Sequence, residues 1–199
     1  MNRATGRPAA GPDGPTLGRR RFHVGAIVVA LVAIAPVSTA LAQDAETREY
    51  TIKAGFVFNF LRFSRFPAHA TLGDTLTVAV LGSDPFGSTL DAIRGKEVQG
   101  KRIAVRRFKS LAEVTSCHLL FVGSSELPRL KSIFAVTEKQ GILTVGETEG
   151  FAHAGGVFGL KTVDKRIRFE VNRDAARLVH VELSSQLLQV AAAVIDGRR

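Results

Sequence analysis

Residues 50–67 read YTIKAGFVFNFLRFSRFP and hold five of the chain's 13 phenylalanines: Phe56, Phe58, Phe60, Phe63 and Phe66. Gly55 is the one interruption, and Pro67 is the stop. Ile52, Phe56, Phe60 and Phe63 recur at helical spacing and predict one apolar face, which Val57 and Leu61 widen. Phe58 points the opposite way, beside Arg62 and Arg65. Such a helix carries more apolar surface than one flank of a domain buries. The run predicts a core helix packed on a sheet. It also makes Phe58, Arg62, Arg65 and Phe66 candidate contacts for a dimer mate or a partner protein. Lys53 falls near the Phe60 side, where it snorkels out or pairs with a carboxylate. Asn59 lies at the edge of the same face and needs a hydrogen-bond partner if buried.

Upstream, Arg19-Arg20-Arg21 precede an apolar run from Val24 to Val37, and Ala40-Leu41-Ala42 is a small-x-small site. This is the pattern of a secretory signal peptide over residues 1–42, with the mature chain starting at Gln43. The same arginines fit a loose twin-arginine pattern. The ordinary secretory route is preferred, and an uncleaved anchor is the alternative. Removing residues 1–42 from 199 leaves 157, the size of one domain over 43–199. The formal charge is +9; the leader holds five Arg and one Asp, so about +5 remains. Export argues against nucleic acid, and a basic surface suits anionic headgroups or an acidic protein face. Cys117 is the single cysteine, so no internal disulfide can form.

Downstream, a nearly continuous apolar run predicts a buried strand at 76–81, with further strands at 102–108, basic on one side, at 118–122 and, again buried, at 142–145. Asp84-Pro85 reads as a helix start running to about Arg94, and Gly123-Ser124-Ser125 opens a helix reaching Gln140. A short helix is expected near residues 111–114. Two strands at 157–162 and 166–171 are joined by a tight Val163-Asp164-Lys165 connection. In the second, Ile167, Phe169 and Val171 alternate with Arg166, Arg168 and Glu170, as in an antiparallel hairpin. Asn172 caps a short helix over 173–178, and a final helix is expected over 184–195. The fold class is therefore α/β: a mainly parallel sheet flanked by helices on both faces, with an antiparallel hairpin at one edge.

Ligands in such sheets bind at the carboxyl ends of the strands. That makes Asp84, Ser124, Ser125 and Glu126 candidate ligand or loop residues, with Arg168 and Glu170 as a surface ion pair or contact. The 82–87 loop has phosphate-loop spacing but lacks the lysine before the hydroxyl residue. Cys117 and His118 are strand neighbours pointing to opposite faces, so they form no dyad. There is no nucleophile elbow, and His69, His118, His153 and His180 show no metal-ligand spacing. The reading is not an enzyme, with no cofactor and no metal.

These residues, taken in order, resemble the YfiR family of periplasmic proteins over about Tyr50 to Ala192. The family signature K-A-A-F-[IV]-Y-N-F-x-[KR]-F-x-x-W-P is similar to Lys53-Ala54-Gly55-Phe56-Val57-Phe58-Asn59-Phe60-Leu61-Arg62-Phe63-Ser64-Arg65-Phe66-Pro67. Further matches are residues 82–87, 117–122 with 124–126, 143–146, 150–152, 155–156, 168–172 and 183–188. The resemblance implies a periplasmic regulator that binds and represses an inner-membrane diguanylate cyclase, lowering cyclic di-GMP and disfavouring biofilm. It implies a homodimer, and a periplasmic partner domain belonging to a cyclase or a sensor kinase. Redox control through a disulfide belongs to the family picture, and a lone Cys117 does not support it. Phe58 stands where the family has Tyr, and Phe66 where it has Trp. The alternative function is a periplasmic small-solute binding protein acting with a transporter or sensor kinase.

Overall fold

The apolar runs expected as strands are strands in the computed structural model, which describes residues 37–67 and 73–196, with side chains from residue 43 onward. In chain order the elements are α1 (Val37–Arg62), β1 (Ser64–Arg65), β2 (Thr75–Leu81), β3 (Glu97–Val98), β4 (Lys101–Phe108), β5 (Leu119–Val122), α2 (Leu130–Gln140) and β6 (Leu143–Gly146). There follow β7 (Phe158–Val163), β8 (Arg166–Asn172), α3 (Arg173–Leu178), β9 (Glu182–Leu183), α4 (Ser185–Gln189) and β10 (Ala193–Ile195). The expected leader lies almost wholly outside the described residues. Among those described, no helix is long and apolar enough to cross a membrane.

One eight-stranded sheet has the order β10-β8-β7-β6-β5-β2-β4-β3, and β1 pairs with β9 in a separate antiparallel ribbon. β4, β2, β5, β6 and β7 run parallel, β8 returns antiparallel to β7, and β10 runs parallel to β8. The α/β class with a mainly parallel sheet and an antiparallel hairpin holds. β10 lies outside the hairpin, because the last helix is shorter than expected. It stops at Gln189, and Ala192 N–H donates to the Phe169 carbonyl at 2.8 Å, docking Ala193–Ile195 beside β8. The β-branched pair Val194-Ile195 suits a strand better than a helix.

α1 covers one face of the sheet and α2 the other, each over its own apolar cluster. On α1 the buried positions are Lys53, Ala54, Val57, Phe60 and Leu61, while Ile52 is 52% exposed. The helix is thus rolled about one residue from the face that the phenylalanine spacing predicts. The roll puts the Phe60 ring flat on Phe158, with centroids 3.9 Å apart and planes 4° apart, and edge-on to Phe169 at 5.1 Å. Phe56 is half-buried against Phe169, and Asn59 is exposed, so it carries no buried polar cost.

Two helix starts and one helix end differ from expectation. Asp84 Oδ1 accepts the Phe86 N–H at 2.8 Å, a side-chain turn, and the helix over Gly87–Ile93 is 3-10. Residues 124–129 are also 3-10, and the α-helix forms only after Pro128. α1 ends at Arg62, five residues before Pro67, because the Ser64–Arg65 backbone pairs with Glu182–Leu183. The Asn172 cap is as expected: its Oδ1 accepts the Ala175 N–H at 2.9 Å.

The hairpin joining β7 to β8 turns on Asp164 and Lys165, both left-handed at φ 50° and 59°. A two-residue turn of this kind favours Asn or Asp followed by Gly. Lys165→Gly is therefore expected to stabilise the protein by about 0.5–1 kcal/mol, since relief of left-handed strain outweighs the added unfolded-state entropy. Urea denaturation checks it; a loss of stability would contradict the turn assignment.

Candidate functional site

The crevice at the carboxyl ends of the parallel strands opens between β2 and β5, where the connections reverse direction across the sheet. Its own side chains fill it. Gly82 has φ 81°, and a Cβ there would collide with Ser125 and Glu126. The Ser83 N–H donates to Ser125 Oγ at 2.9 Å, and Glu126, fully buried, accepts from Arg129 at 2.8 Å. Asp84 Oδ2 accepts from Arg107 Nε at 2.6 Å, and Asp91, held below the usual carboxylate range by hydrogen bonds from Arg94 and Arg107, completes that network. The carboxylate of Glu126 thus sits where an anion would meet the helix start. Asp84, Ser125 and Oε1 of Glu126 are committed to internal partners, Glu126 Oε2 is buried with no hydrogen-bond partner among the described residues, and Ser124 is exposed beside them.

Glu170 pairs with Lys161 across the hairpin at 2.5 Å, not with Arg168. Residues two apart on one strand diverge along it, while the diagonal neighbour on the next strand lies within reach. Arg168 is exposed. Glu170 and Lys161 line a groove of about 530 Å³ beneath the 147–151 loop.

Glu147, the first residue after β6, lines the same groove and anchors α1. Lys53 is 5% exposed, with Nζ 2.5 Å from Glu147 and 2.6 Å from Glu49. The Tyr50 hydroxyl donates to the same Glu147 carboxylate at 3.1 Å, and Lys53 Nζ sits 4.4 Å from the Tyr50 ring centroid. Burial, and then the Glu147 charge, push the Tyr50 phenol up to about 12. Burial pulls Lys53 down, but its hydrogen bonds to Glu147 and Glu49 outweigh this and leave it raised.

The other end of α1 carries the expected contact residues. Phe58 is half-buried, with Lys96 Nζ 5.6 Å from its ring centroid. Arg62 and Arg65 are exposed, and no carboxylate pairs with either among the described residues. Phe58 and Arg62 stand one helical turn apart and share a stripe. Phe66 is taken away from this surface: it is 6% exposed and packs edge-on against His118 at 5.6 Å. Gln99, which the sequence did not single out, closes the helix end. Its Nε2 donates to the carbonyls of Ser64 at 2.8 Å, Leu61 at 3.2 Å and Arg62 at 3.3 Å. An isolated glutamine in a loop gives no signal of such a role.

Helix-terminal carbonyls need partners, so Gln99→Ala is expected to cost about 1–2 kcal/mol. A lower urea midpoint at unchanged slope would show this; an unchanged midpoint would mean that water replaces the amide. Among the described residues no group of His, Cys, Asp and Glu could hold a metal. Cys117 is buried, and burial raises its thiol to about 12, which leaves it protonated and inert.

No curated protein matches the chain. One solved structure, "The Crystal Structure of the ABC domain in complex with L-Trp from Streptococcus pneumonia", is 11% identical, with a TM-score of 0.44 over 60% of this chain and 55% of that one. A "conserved domain protein from vibrio cholerae o1 biovar eltor" is 10% identical, with a TM-score of 0.46 over 60% and 54%. The chain spans about half the length of these structures, and neither likeness bears on function. The profile of the YfiR/HmsC-like family matches residues 50–192, nearly the whole described domain. The chain belongs to that family.

Proposed function

We propose that this YfiR/HmsC-like protein is an exported, non-catalytic regulator that holds an inner-membrane diguanylate cyclase inactive by binding its periplasmic domain. Family membership over residues 50–192 is the observation that carries this reading. The lone buried Cys117 and the self-filled crevice support a binding role rather than a chemical one. In this reading the leader is removed before Gln43, and the mature protein is a homodimer.

The shoulder formed by Phe58, Arg62 and Arg65 is the proposed partner contact. An aromatic side chain beside two unneutralised guanidinium groups suits an acidic protein face. Charge reversal of both arginines to glutamate is expected to weaken binding to the cyclase's periplasmic domain at least tenfold, a change of about 1.4 kcal/mol or more. Titration of the two purified proteins measures it. In the native host, deletion of the gene should raise cyclic di-GMP, and the double reversal should reproduce that rise. Unchanged cyclic di-GMP on deletion, with the cyclase expressed, would count against the function; unchanged binding would count against the surface alone.

A further inference from the structure

Residues 160–168 of the β7–β8 hairpin reach past the neighbouring strands. β6 pairs with β7 only at Phe158 and Gly159, and β10 pairs with β8 only from Glu170 to Asn172. The protruding ribbon has two unlike faces, because side chains alternate along each strand. Leu160 is buried in the core beneath α1, and Ile167 packs against the same core. The opposite face is exposed and basic. Lys161 stands directly across from Arg168, and Val163 directly across from Arg166. Lys165 adds a charge at the turn. Glu170 neutralises Lys161, but Lys165, Arg166 and Arg168 make no ion pair among the described residues. Like charges placed opposite each other on a ribbon repel, a cost that an anionic surface would relieve. Val163, set among these charges, is 42% exposed. The groove at the ribbon's root takes in Lys161 but neither arginine nor Val163, so the tip encloses nothing and suits an extended surface rather than a small ion.

We propose that the ribbon tip docks on a membrane surface, with Lys165, Arg166 and Arg168 against anionic phospholipid headgroups and Val163 entering the interface among them. Basic side chains near such a surface are drawn to its negative potential, and a small apolar group adds burial to that attraction. The inference stands on the charge and shape of the ribbon and does not rest on the cyclase reading. It adds to that reading a way to hold the regulator beside a membrane enzyme while the shoulder at Arg62 stays separate. Lys53, whose partner Glu147 lines the groove at the ribbon's root, lies about two and a half helical turns from Arg62.

Co-sedimentation of the purified exported protein with vesicles of phosphatidylcholine, and of phosphatidylcholine with phosphatidylglycerol at about three to one, tests the surface. Binding to the anionic vesicles and not to the zwitterionic ones is expected. It should fall steeply as salt rises from about 0.1 M to about 1 M and the Debye length shrinks from about 10 Å to about 3 Å. Arg166→Ala and Arg168→Ala should each weaken it about fivefold, the scale of one basic residue at an anionic surface, with an unchanged circular dichroism spectrum. Val163→Ser should weaken it several-fold without changing its salt dependence. Reversing Arg62 and Arg65 to glutamate should alter it far less, which separates the ribbon from a general effect of net charge. Equal sedimentation with both vesicles, or none with either, overturns the proposal. So does anionic-vesicle binding that survives loss of both ribbon arginines; weaker binding of that variant to the cyclase's periplasmic domain would then make the ribbon a protein contact instead.

Discussion

Replacing Phe60 with alanine is expected to remove about 3–5 kcal/mol of stability, the range for a fully buried aromatic truncated in a packed core. Phe60 is 0% exposed and touches rings from two strands, Phe158 and Phe169, as well as Phe56 one turn before it. It is the point at which α1 grips the hairpin. A cavity there has rigid walls, since Phe158 and Phe169 are themselves paired at 6.0 Å across the antiparallel register, so collapse recovers little. For a domain stable by 5–15 kcal/mol such a loss is close to unfolding. Phe58→Ala, on the half-buried side, should cost about 1 kcal/mol or less. Urea denaturation of both variants makes the comparison. Similar losses for the two would contradict the seating of Phe60, rather than Phe58, in the core.

Removing the Glu147 carboxylate should cost nearly as much by another route. Lys53 is buried, and Glu147 is its less exposed partner; Glu49 lies nearer the solvent. Glu147→Ala strands most of a buried ammonium and the Tyr50 hydroxyl together, and breaking such a pair costs about 3 kcal/mol. Replacing Lys53 by methionine in the same chain should return most of the loss, because no buried charge remains unpaired. A double-mutant cycle shows this as a coupling well above 1 kcal/mol; additive losses would mean that water already reaches Lys53.

Buried proton donors on both faces of the sheet set the alkaline limit of the fold. Tyr50 rises from 10.0 to about 12, Cys117 from 9.0 to about 12, and Lys53 also shifts upward. Each native group holds its proton more tightly than the unfolded chain does. Their stabilisation is therefore complete below pH 9.0 and is lost as pH rises through about 12. Stability should be flat from pH 7 to 9 and fall steeply above 10. Tyr50→Phe should make that fall shallower.

The main strands, the existence of the hairpin and the Asn172 cap were legible because their signals are local, whereas the hairpin turn is one residue shorter than expected, with Val163 paired to Arg166. A continuous apolar run, a period-two alternation or a cap residue acts on backbone within a few residues. The roll of α1 was not legible, since Ile52 and Lys53 compete for one buried place. The apolar residue loses because Glu147, nearly a hundred residues away, waits for the amine. Phe58, Arg62 and Arg65 could be named from helical geometry, whereas Phe66 lies past the unforeseen helix end that β9 and Gln99 impose. The candidate crevice at Asp84, Ser125 and Glu126 had the right topology, but only the folded chain shows that Glu126 fills it. Sequence by itself determined the order and type of most elements and the family to which they belong. Tertiary structure alone decided which charges are neutralised and which are left open. Ion pairing depends on distances between residues far apart in the chain, and only the packed fold sets those distances.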